Sequence, residues 1–189
     1  MNQRRHNGHL LLNLYTFVLL PTYTLSFAGS SDWFRSNFSI LAVVSPEDYR
    51  KFVFWGACSM GYFYVLLARL ALRVPHPWAR RSVFLLALTA CVSLGYAMLI
   101  PYLPDQIPGW AKLHVVLAAG SCVVLLAAVL ILLLYWRKWN LLKIWLALNL
   151  CYGILFLSAG MVTSALEVFF TLSAALLLRS LWLSAPSNL

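Results

Sequence analysis

The chain has 189 residues, 62% of them hydrophobic and 10% charged, with a mean hydropathy of +0.82. Soluble domains carry about a quarter charged residues, so a water-soluble fold and a separate soluble catalytic module are both excluded at this length. A net charge of +9 would point to nucleic acid in a soluble protein; in so apolar a chain it points to cytoplasmic membrane loops, where basic residues collect.

Spanning a bilayer takes about 20 apolar residues. Six such runs account for the chain, at 9–28, 46–72, 82–100, 108–136, 140–158 and 164–183. The runs are continuous rather than alternating, and unpaired backbone is too costly in hydrocarbon for anything except helices or a closed barrel. The expected fold is all-α, a single-domain polytopic bundle of six transmembrane helices.

The first run follows Arg4-Arg5 and ends at Ser26-Phe27-Ala28, which also resembles a signal peptide with a small-residue cleavage site. Its length and its polar Asn13 and Pro21 favour a retained first helix; cleavage would leave five spans and an external N-terminus. Loop 29–45 mixes aromatic and polar residues and suits a segment that lies on the bilayer or caps the bundle. It contains Asn37-Phe38-Ser39, a glycosylation acceptor triplet in a secretory pathway. Ser45-Pro46-Glu47-Asp48 opens the second helix with a capping Ser, Pro at the first helical position and acids in the first turn. Pro101 to Pro104 ends the third helix and Pro108-Gly109 opens the fourth. Ser158-Ala159-Gly160 stops the fifth, making a tight hairpin with the sixth. Ser164-Ala165-Leu166-Glu167 reads as a capping box, with Ser164 capping the sixth helix and Glu167 reaching back to its backbone.

These boundaries sort the charges. Arg4, Arg5, Arg69, Arg73, Arg80, Arg81, Arg137, Lys138, Lys143 and Arg179 fall on one side. Arg35, Arg50, Lys51 and Lys112 fall on the other, with all five acids: Asp32, Glu47, Asp48, Asp105 and Glu167. The positive-inside rule then places both termini in the cytoplasm. Trp78, Trp136, Trp139 and Trp182 mark the inner interface, Trp33 and Trp110 the outer one.

Ionisable groups inside a membrane are candidates for function. Glu167, His114 and Asp105 all fall near the outer boundary by span counting. A shared outer vestibule holding the three would bind a proton, a metal or a lipid headgroup, and would respond to pH. Each also has a plain structural reading: Glu167 as part of the capping box, His114 as an interfacial residue with one hydrogen bond. Arg69 and Arg179 suit snorkelling from inner helix ends, and Asn149 an interhelix hydrogen bond. With one histidine near a span interior, paired-histidine haem ligation is excluded, and no HExxH, GxSxG or phosphate loop is present. Neither a cofactor nor a metal is implied. Cys58, Cys91, Cys122 and Cys151 lie in four different spans and read as small apolar packers. Gly56, Ala57, Gly61, Ala118, Ala119 and Gly120 suit close helix contact.

Ser36-Asn37-Phe38-Ser39, Phe52-Val53-Phe54-Trp55-Gly56, and Pro101-Tyr102-Leu103-Pro104 followed by His114 form a pattern. It resembles small six-helix bacterial membrane proteins of unknown function, distantly similar to the DRAM-like (damage-regulated autophagy modulator) superfamily. The resemblance covers about half the chain. It implies six helices, internal termini and a larger first external loop, and no activity. The sequence thus reads as a non-catalytic accessory or lipid-interacting protein of a bacterial inner membrane. Its partners would be membrane lipids, other membrane proteins or further copies of itself, with no nucleic acid. A small transporter or channel subunit using the Glu167/His114 level is the alternative, and a lipid-modifying membrane enzyme the third.

Overall fold

The computed structural model describes residues 10–29 and 32–186. Arg4 and Arg5, invoked above, lie outside the described residues, as do His9 at the start of the first run and Ser30 and Ser31. Among the described residues there are helices and no strand. In chain order they are α1 (Leu10–Ala28), α2 (Phe38–Ala42), α3 (Pro46–Leu72), α4 (Pro77–Leu99), α5 (Pro108–Tyr135), α6 (Trp139–Ala159) and α7 (Ser164–Ser184). All but α2 are long and apolar enough to cross a membrane. The protein is therefore an all-α, multi-pass membrane bundle. Helix α4 starts at Pro77 rather than at Ser82. Pro lacks an N–H where a helix start would leave one unpaired anyway, so Pro77 admits Trp78, Arg80 and Arg81 into the first turns.

Helix starts follow local side-chain chemistry. Ser45 caps α3 by accepting from the Asp48 N–H at 3.1 Å, and its hydroxyl donates to the Asp48 carboxylate at 2.7 Å. Glu47 and Lys51 pair at 2.7 Å one turn apart on the exposed face. The start of α7 departs from the expected capping box. The cap is Thr163, whose Oγ1 accepts from the Leu166 N–H at 3.2 Å. Ser164 is the first helical residue, and the Glu167 carboxylate accepts from the Phe38 N–H instead of from its own helix start. Thr163→Ala should therefore destabilise the purified protein by about 1 kcal/mol. Ser164→Ala, which removes a hydroxyl donated to the Ser36 carbonyl of the loop at 3.2 Å, should cost about 0.6 kcal/mol, the average for hydrogen bonds within a membrane protein. Thermal unfolding of the two variants in one detergent distinguishes this order from the reverse.

Helix α3 is central. Its Tyr62, Phe63, Leu66, Leu67 and Leu70 join one buried cluster with residues of α4, α5 and α7. Helix α1 docks on α3 and α7 through polar contacts. Trp55 Nε1 donates to Thr24 Oγ1 at 3.1 Å, and the Thr16 and Tyr62 hydroxyls pair at 2.8 Å. The Tyr62 hydroxyl also reaches the Ala175 carbonyl at 3.3 Å. Here α1 carries a π-helical stretch, Tyr15–Leu19, a widening common where a helix meets special contacts. Arg179 is tied into the bundle rather than simply extended toward an interface. Its Nε donates to Asn13 Oδ1 at 2.9 Å and its guanidinium lies 4.6 Å from the Phe17 ring centre. Arg69 is exposed. Of the glycines expected at close contacts, Gly56 lies against the Met98 side chain of α4, whereas Gly61 and Gly120 face open space. Helix α6 has no buried residue and forms an outer wall between α5 and α7.

Candidate functional site: a roofed interhelical cavity

A cavity of about 460 Å³ lies among α3, α4, α5, α6 and α7. Its body is apolar, with Phe63, Leu94, Leu125, Leu126 and Phe170 on the wall, and Asn37, Ser39, His114 and Glu167 at one end. That end belongs to the side of the bundle carrying residues 32–45. Ligand sites of about 300–1,000 Å³ with a few convergent polar groups in an apolar lining are the usual form of small-molecule pockets.

The roof is the loop before α3, and its short helix α2 is held from two sides. Asn37 caps α2 by accepting from the Ile40 N–H at 2.8 Å, while its Nδ2 donates to the Val162 carbonyl at 3.3 Å. The Phe38 N–H, which the short helix cannot satisfy itself, donates to Glu167 Oε2 at 2.6 Å. The next residue, Ser39, pairs its hydroxyl with His114 Nε2 at 2.7 Å. His114 Nδ1 lies 2.9 Å from the Ile100 carbonyl, an acceptor only, so Nδ1 carries the proton and Nε2 accepts from Ser39 in the neutral ring. Both ring nitrogens are thus engaged. Upstream, the Ser36 carbonyl accepts from the Ser164 N–H at 2.7 Å, and the Trp33 carbonyl from the Ala165 N–H at 2.9 Å. Helix starts leave such donors without intrahelical partners, and here the roof takes them. Below it, Phe38 is fully buried, edge-on to Phe27 and Trp55 with ring centres 5.0 and 4.7 Å away.

Glu167 and His114 therefore line one cavity and clamp adjacent residues of one roof helix. Asp105 is not on the cavity wall; it is exposed in the α4–α5 loop. Asn149 lines the cavity, with its Nδ2 donating to the Trp145 carbonyl of its own helix at 2.7 Å. This intrahelical bond takes the place of the expected interhelix one. Across the α6–α7 seam the Tyr152 and Ser173 hydroxyls pair at 2.7 Å. Ser59 also faces the cavity; its hydroxyl is buried and has no hydrogen-bond partner.

Several of these roles had weak signals in the sequence. Asn37 matched a glycosylation triplet, yet its side chain is 7% exposed and spent on the cap and on Val162. Ser39 entered only through that triplet and the family resemblance, and Ser59 carries no motif. The segments behind the family resemblance do meet in space: Ser36 to Ser39 form the roof, Phe52 and Trp55 pack beneath it, and His114 clamps it. No protein-family model, no curated protein and no solved structure matches this chain.

Proposed function

We propose that this is a non-catalytic, lipid-interacting protein that holds an amphipathic molecule in the roofed cavity. The setting would be a bacterial inner membrane, with the basic end of the bundle toward the cytoplasm. The observation that carries the reading is the division of one cavity into a polar end under the roof and an apolar body. A lipid-like molecule matches both parts. Its route in is lateral, through α6, which has no buried residue and meets α7 near the cavity through the Tyr152–Ser173 contact. The Ser39–His114 pair is accounted for by its place in the roof contact, without a catalytic role. A transporter or channel would need a route to the opposite end. There Leu70, Leu132, Leu178 and Leu181 are fully buried and close the bundle.

Native mass spectrometry of the purified protein tests the reading. The wild type should retain a lipid-like adduct. Ala118→Phe, which projects a ring from the cavity wall, should lose it while remaining monodisperse. Absence of any adduct in the wild type, or the same adduct in the variant, would overturn the proposal.

A further inference from the structure

The ionisable groups on the cavity wall specify the polar end of its occupant. Among the lining residues Glu167 is the only acid, and there is no Lys or Arg. His114 offers no free donor, since its proton-bearing nitrogen faces the Ile100 carbonyl. Glu167 gives Oε2 to the Phe38 N–H. A carboxylate accepts at two oxygens and about four lone-pair sites, so acceptor capacity remains at the cavity. A carboxylate, sulfate or phosphate head would meet this acid with no cation on the wall. A zwitterionic phospholipid would bring its phosphate to the same place. A primary ammonium supplies donors and positive charge together, and charges in membranes persist by such pairing.

The wall carries a second sign of an occupant. Ser59, 3% exposed, lines the same space and has a buried hydroxyl without a partner among the described residues. Along α5 the lining runs from His114 to Leu126, a depth of about 18 Å at 1.5 Å per residue. That length accommodates an extended single chain beneath the head.

We infer that the cavity receives a single-chain amphiphile bearing a protonated primary amine, with the ammonium on Glu167 and the chain along Phe63 and Leu125. This rests on the amphiphile reading of the cavity given above. It also separates two sources of the same headgroup chemistry, a free long-chain amine and an amine-bearing phospholipid, in favour of the former.

Separate titrations of dodecylamine, dodecanol and dodecanoate test it. The protein is held in phosphatidylcholine nanodiscs, and saturable occupancy is read by native mass spectrometry. Dodecylamine should half-saturate at a concentration at least tenfold below that of dodecanol, with no saturable binding of dodecanoate. Replacing half the nanodisc lipid by phosphatidylethanolamine should leave dodecylamine occupancy unchanged. Glu167→Gln keeps an oxygen acceptor for the Phe38 N–H, so the roof stays in place. In that variant the advantage of the amine should shrink below twofold while dodecanol still binds. Equal or tighter binding of dodecanol or dodecanoate in the wild type would overturn the headgroup inference and leave the amphiphile reading standing. So would an undiminished amine preference in the variant. Displacement by phosphatidylethanolamine would overturn the single-chain source. If none of the three probes binds saturably, the amphiphile reading itself fails.

Discussion

Replacing Phe38 by Ala is expected to destabilise the protein by about 3–5 kcal/mol, the range for losing a buried aromatic ring. Phe38 is fully buried although it belongs to a loop helix of five residues. Its ring meets Trp55 at an interplanar angle of 86° and Phe27 at 76°, edge-to-face geometries that add about 0.5–1.5 kcal/mol beyond burial. So short a helix cannot stand alone; the ring and the two clamps hold it. Thermal unfolding of Phe38→Ala should show the loss, and hydrogen exchange should rise across residues 32–45 while the centre of α3 stays protected. Phe38→Leu should lose much less, since most of the apolar volume remains. An unchanged unfolding temperature for Phe38→Ala would contradict the packing of the roof.

Glu167→Ala is expected to lower stability by about 1.5–3 kcal/mol, within the range for leaving a buried donor without its acceptor. The acceptor of the Phe38 N–H disappears, and that donor lies beneath the roof, with no helical carbonyl to receive it. Exchange of the Phe38 amide should quicken by at least about tenfold, following the factor of ten per 1.4 kcal/mol. Glu167→Gln should sit near the wild type, because the amide oxygen still accepts. Comparing the two variants by amide exchange isolates the acceptor from the charge. Equal exchange in wild type and Glu167→Ala would show that the carboxylate does not hold the roof.

The spans were legible because length and charge placement are coarse constraints that survive errors of a few residues. Pro46, Pro108 and the left-handed Gly160, with φ of 68°, stand where helices start and stop. Position around a helix was not legible. Counting from span ends gave Glu167, His114 and Asp105 a common depth, but depth says nothing about which neighbour a side chain faces. Asp105 lies in a loop outside the cavity. The capping box misled for a related reason. Thr163 and Ser164 are both good caps, and the box requires its acid three residues after the cap. With Thr163 as the cap, Glu167 comes four residues later and is directed elsewhere, to Phe38. Helix α2 left no periodic signal because five residues make little more than one turn. Its existence depends on groups far away in sequence.

That distance orders the making of the protein. Ser36 and Ser164, joined at the roof, are 128 positions apart. At about 5–20 residues per second of synthesis, the ribosome needs roughly 6–26 s to travel from one to the other. For that interval the segment that will cover the cavity has no acceptor from Glu167 and no donors from Ser164 and Ala165. The lid is therefore sealed only by the arrival of α7, which also completes the wall of the compartment beneath it.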